Sequence, residues 1–129
     1  MTSVDTRDPD GLLPLTPAGF HILLVLAEGP AHGYAIMLEV ERMTQGKTHL
    51  GPGTLYRTIQ KLLDDNLIVA IDSHPAGSDE RRVRYRLTRF GTVVARAEVA
   101  RLALLLRIAQ RRGLYSPAPR TPRRAPVHR

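Results

Sequence analysis

The stretch GPGTLYRTIQKLLDDNLI, residues 51–68, decides how the rest of the chain is read. Gly-Pro-Gly opens a helical pattern in which Leu55, Ile59, Leu62 and Leu63 fall on one face at about 100° per residue. Arg57, Gln60, Lys61 and Asp64 point the other way. Pro52 lacks an N–H but suits a first helical turn, and the two glycines keep the helix end bare. Asn66 tolerates the left-handed backbone and is the expected C-terminal cap. A bare, positively polarised helix end serves either a small nucleotide's phosphate or the backbone of a duplex. The surrounding chain separates the two.

A phosphate loop needs a buried strand before it and GxxxxGK[ST] or GxGxxG spacing. The preceding residues, KTHL, form no such strand, and neither pattern is present. Upstream, Thr16 and Pro17 pair an N-cap with a first-turn proline. Phe20, Leu23, Leu24 and Ala27 follow at helical spacing, predicting a first helix that ends near Glu28, before Gly29-Pro30. A second helix starts near Gly33, with Ile36, Val40 and Met43 along its core stripe and Tyr34 directed away from it.

Downstream the period changes. LIVAIDS (67–73) is short and β-branched, HPAGSDE is turn-rich, and RVRYRL (82–87) alternates. Val83, Tyr85 and Leu87 share one face, and Arg82, Arg84 and Arg86 the other, as in a half-buried hairpin with a basic outer face. A lone hairpin is marginal in water, so this one is expected to pack on the helices. Thr88 then caps a last helix reaching about Arg112, roughly 37 Å long. Phe90, Val93, Val94, Ala97, Leu104, Leu105 and Ile108 form one stripe, yet Val99, Leu102, Ala103 and Leu106 lie on other faces. A helix apolar nearly all round needs cover on more than one side, and a symmetric dimer is the simplest source. Dimer contacts are expected from Val94, Ala97, Leu102, Leu105, Leu106 and Ile108.

Charge points the same way. The 129 residues hold 19 Lys and Arg against 12 Asp and Glu, a formal net charge of +7, and Glu98 is the only acid after Arg81. Such an excess favours polyanionic partners. With no cysteine, disulfide scaffolds, thiolate metal sites and cysteine nucleophiles are excluded. The five histidines show no HExxH or other tight metal spacing, and Ser and Thr lack an evident base, so neither an enzyme nor a metal or other cofactor is expected. The N-terminal residues carry no signal pattern and no run approaches the roughly 18 apolar residues of a membrane span, so a cytoplasmic protein is expected, with no membrane partner.

The order helix-helix-helix-strand-strand-helix is that of a winged helix-turn-helix, mostly α with a small β-hairpin, in which the third helix enters the major groove beside the hairpin. A flexible segment is expected at 1–14, the DNA-binding domain at 15–87, the dimerisation helix at 88–113 and a disordered Pro- and Arg-rich tail at 114–129. Expected DNA contacts are Tyr34, Gly53, Thr54, Tyr56, Arg57, Gln60, Lys61, Arg82 and Arg84, with Tyr56 also packing between helices through its ring. A protein-interaction module with an acidic partner, or a non-sequence-specific nucleic-acid binder, would use the same basic faces.

Four motifs in order, HGYAI (32–36), GTLY (53–56), NLI (66–68) and YRLT (85–88) followed by Gly91, resemble those of the PadR family of bacterial transcriptional regulators. The resemblance spans about residues 15–112. It implies a homodimeric repressor whose third helix and wing contact a palindromic operator in double-stranded DNA. It also implies a short form with a single C-terminal dimerisation helix. Some family members release DNA on binding small apolar or aromatic effectors; here Phe20, Leu24, Leu102 and Leu106 would line such a cleft. Asn66 stands where the family commonly has Gly, and Arg84-Tyr85 where it often has two aromatics, which makes this wing more basic.

Overall fold

The computed structural model describes residues 8–71 and 83–117. Its elements are α1 (Pro17–Leu26), β1 (Ala31–His32), α2 (Gly33–Met43), α3 (Pro52–Asp64), β2 (Ile68–Ile71), β3 (Arg84–Leu87) and α4 (Arg89–Arg111), preceded by a 3-10 turn at Pro9–Leu12. The chain forms two compact units, Met1–Glu98 and Val99–Arg129. The tip of the wing, Arg82 included, and the tail from 118 onward lie outside the described residues.

The predicted caps are in place. The Gly19 N–H donates to Thr16 Oγ1 at 3.0 Å, with Pro17 in the first turn. Asn66 takes a left-handed φ of 62° at the end of α3. There the Leu67 N–H donates to the Leu62 carbonyl and the Asn66 N–H to that of Leu63, a Schellman closure. Leu62 and Leu67, its apolar pair, are both buried.

The core gathers Ile22, Leu23, Leu26, Ile36, Val40, Leu55, Ile59, Leu62, Leu67, Ile68 and Val94. Each fully buried aliphatic side chain contributes about 1.5–3 kcal/mol of hydrophobic transfer energy. The α1 stripe differs from expectation: Gly19, Ile22, Leu23 and Leu26 face inward, while Leu24 is 40% exposed. This helix is apolar on nearly every side, so period alone does not select its buried face. Within the segment expected to be flexible, Leu12 and Leu13 pack against the core.

The sheet has three strands rather than two, in the order β1-β3-β2, all antiparallel. Ala31 and Ala70 flank Tyr85 in register, giving a small-large-small row across the sheet. His32 and Ile71 flank Arg84 in the adjacent row. The hairpin is thereby joined through β1 to the connection between α1 and α2.

Thr88 ties the wing to α4. Its hydroxyl donates to the Asn66 carbonyl at 2.7 Å and accepts from the Gly91 N–H at 2.8 Å, capping the helix. Its own N–H donates to the Leu67 carbonyl. Gly91 lies so close to that carbonyl that a Cβ there would sit 1.9 Å from the oxygen. In the first unit α4 buries Gly91, Val94 and Glu98, whereas Val93 is 42% exposed. Val94 was expected at a dimer interface, but it is fully buried in its own unit and has no surface to offer a second chain. Close helix packing at Gly91 carries the inward face through Val94, one turn on.

Candidate nucleic-acid interface

The helix-turn-helix is built from α2 and α3, and its outward surface is set by the amphipathicity of α3. Leu55, Ile59 and Leu62 anchor that helix in the core. Directly opposite, Gly53, Arg57, Gln60, Lys61 and Asp64 are all exposed, forming one stripe along the axis. Gly51 occupies the N-cap without a side-chain hydrogen bond, Pro52 follows it, and the Leu55 N–H is bonded to the Gly51 carbonyl at 2.8 Å. The N–H groups of Gly53 and Thr54 precede that bond at the open helix end, where the dipole favours an anion. No atom lies within 4 Å of where a Gly51 Cβ would be, and at Gly53 only Arg57 does, at 3.7 Å. A phosphate can therefore approach the backbone closely.

The polar side chains on this stripe are not loose. Arg57 Nη2 reaches Thr54 Oγ1 at 3.4 Å, and the Thr58 hydroxyl donates to the Thr54 carbonyl at 2.7 Å. Gln60 Nε2 donates to Asp64 Oδ1 at 2.9 Å, and Lys61 Nζ lies 3.2 Å from Asp65 Oδ2. The two carboxylates offset the charge of Arg57 and Lys61, so the stripe carries donors without a large local excess of positive charge. Reading the sequence for cations alone missed both acids as partners, although their i,i+4 spacing from Gln60 and Lys61 was the available signal.

Tyr56 is 42% exposed, and its ring crosses the start of α2. A Cβ on Gly33 would lie 2.5 Å from the phenolic oxygen and 2.9 Å from Cζ. Glycine at 33 thus seats the ring against the α2 backbone, a role that no periodicity in the sequence discloses. Tyr34 stands one residue further along, 62% exposed. On the far side of α2, Arg42 hydrogen-bonds Glu39 and holds its carboxyl below the usual pKa. Arg42 is exposed and Glu39 half-buried, and such surface pairs contribute little to stability.

On the wing, Tyr85 is buried, Arg86 exposed and Arg84 half-buried, as the alternation requires. Arg86 belongs with Arg84 on the basic face by this geometry, and was not among the expected contacts. Among the described residues no group of three His, Asp or Glu side chains is arranged to hold a metal ion. No described helix is long and apolar enough to cross a membrane.

Comparison with known proteins gives the same architecture. A PadR family transcription regulator from Clostridium difficile is 21% identical, aligned over 74% of this chain and 97% of that one with a TM-score of 0.62. A transcriptional regulator from Clostridium thermocellum is 22% identical over 72% of this chain and 89% of that one, also at 0.62. RosR of H. salinarum is 28% identical over 79% of this chain and 87% of that one, at 0.56. No curated protein matches significantly. The model of the transcriptional regulator PadR-like family matches residues 22–97, from α1 through the buried start of α4. With its bare-ended third helix, its wing and that match, the chain belongs to the PadR-like family of transcriptional regulators.

Proposed function

We propose that the protein is a dimeric, sequence-specific repressor that places α3 in the major groove of a palindromic operator and lays the wing beside it. The observation that carries this is the exposed stripe of Gly53, Arg57, Gln60 and Lys61 behind an open helix end, with Arg84 and Arg86 on the adjoining wing. Arg57 and Gln60 have donors suited to base edges, whereas Lys61, Arg84, Tyr34 and the glycine backbone suit phosphates. Dimerisation is assigned to the second half of α4, where Leu102, Leu105 and Leu106 are 37–48% exposed and Val99 and Leu104 add to the uncovered apolar surface. A binding partner is needed there because monomeric proteins rarely leave so contiguous a patch in water. Such a regulator acts by occupying DNA and carries out no reaction of its own.

Binding-site selection on random duplexes tests the reading, followed by anisotropy on the selected site and on scrambled DNA. Arg57→Ala is expected to cost on the order of 1–3 kcal/mol and to relax preference at one position. Arg84→Ala should weaken all sequences alike and flatten the salt dependence. Equal losses on specific and scrambled DNA for both variants would overturn sequence-specific recognition in favour of general nucleic-acid binding.

A further inference from the structure

Gln60 and Asp64 stand one turn apart on the outward stripe of α3, and the Gln60 amide nitrogen donates to the Asp64 carboxylate at 2.9 Å. A carboxamide has two N–H donors on one atom and a carbonyl acceptor on the other, and when unheld it can present them in either order. An ionised carboxylate only accepts. It therefore fixes the Gln60 nitrogen toward the C-terminal end of α3, leaving the carbonyl and one remaining N–H to face outward.

We propose that Asp64 sets the sequence preference of Gln60 by fixing the order of its donor and acceptor. Asp64 is thus a positioning residue for base recognition, and this rests on the reading of α3 as the recognition helix. In the major groove adenine offers an N6–H donor beside an N7 acceptor, the complement of a carbonyl beside an N–H. Guanine offers two acceptors, O6 and N7, so a held carbonyl meets like against like. A freely turning amide could instead direct N–H groups at guanine. The hydrogen bond is exposed in the free protein and gains strength as the duplex displaces water from the stripe. Lys61 and Asp65 share the same i,i+4 spacing, but an ammonium group has only donors and no order to fix. The negative charge of Asp64 penalises every sequence alike through repulsion from phosphates.

The test uses the full-length protein, its selected duplex and the single-base variants of that duplex. Wild type is expected to prefer adenine at one position by about tenfold, within the range of a bidentate contact. Gln60→Ala should flatten that position alone. Asp64→Ala should reduce the preference to about threefold or less, admitting guanine there and leaving other positions unchanged. Asp64→Asn offers donors as well as an acceptor and no longer fixes the order of the Gln60 amide, so it should lose most of the preference, as Asp64→Ala does, while tightening binding to all sequences. In the Gln60→Ala background, Asp64→Ala should leave the base profile as it is. Circular dichroism checks that these exposed variants fold. An unchanged adenine preference in Asp64→Ala overturns the proposal, as does a change spread evenly over all positions. Wild type with no preference at any position overturns the regulator reading itself, a separate result.

Discussion

Gly91→Ala tests the junction between the wing and α4 most directly, because two effects of opposite sign compete there. Alanine is the better helix former by at most about 1 kcal/mol, so in open space the change would stabilise. The space is not open. The new Cβ would lie 1.9 Å from the Leu67 carbonyl oxygen, which belongs to rigid backbone rather than to a side chain that can swing away. Relief requires α4 or the entry to β2 to move by about 1 Å or more, since contacts below roughly 3 Å are not sustained. That movement strains the Thr88 N–H and hydroxyl contacts to the Leu67 carbonyl, at 3.0 and 3.2 Å. It also disturbs the packing of Leu67, which is 1% exposed. Overpacking costs about 1–3 kcal/mol and each weakened hydrogen bond about 1 kcal/mol, so the net destabilisation is on the order of 2–4 kcal/mol. Urea unfolding at fixed protein concentration measures it, because association would otherwise shift the midpoint. With a slope of about 1–3 kcal/mol per molar, the midpoint should fall by on the order of 1–2 M. A variant as stable as wild type, or more so, would show that the helix and strand are free to separate, and would refute the close approach.

Thr88→Val keeps the shape but removes the hydroxyl that caps α4 and bonds the Asn66 carbonyl; a loss of about 1–2 kcal/mol is expected in the same urea assay. Gly33→Ala should cost about 1 kcal/mol, because the half-exposed Tyr56 ring can yield where the Leu67 backbone cannot. In a Tyr56→Ala background the cost should vanish, and a double-mutant cycle reads that coupling. Leu105→Asp puts an unpaired carboxylate into the apolar surface assigned to the dimer, so sedimentation at micromolar concentration should show monomer where wild type shows dimer.

Features written locally were legible in the sequence. Thr16 followed by Pro17, Asn66 ending α3 and Thr88 opening α4 each act within a few residues, and each caps as its chemistry demands. The stripe of α3 was readable because its apolar and polar residues separate cleanly, with Leu55, Ile59 and Leu62 buried and Arg57, Gln60 and Lys61 exposed. The inward face of α1 was not, because Leu24 and Leu23 are equally apolar and only the neighbouring helices choose between them. β1 is too short to show alternation, and its strand character comes from β3 rather than from Ala31 and His32. Val94 was assigned outward because the stripe it belongs to continues into the uncovered part of α4. What redirects it is the close contact at Gly91, which depends on a carbonyl from a different part of the chain.

The placement of β3 between β1 and β2 has a kinetic consequence. β2 and β3 are near neighbours in the sequence, but Ala31 meets Tyr85 across most of the domain's sequence. Closing that loop costs more entropy than closing the hairpin and is offset only once α1 and α2 have docked. On these grounds the helical layer condenses first, and β3 then pairs late with Ala31 and His32, which the docked α1 and α2 already hold in place. Substitutions at Ala31 would then accelerate unfolding with little effect on the folding rate, whereas truncations at Ile22 or Ile59 would slow folding. By this ordering β3, which carries Arg84 and Arg86, would be the last strand fixed in place and the first released.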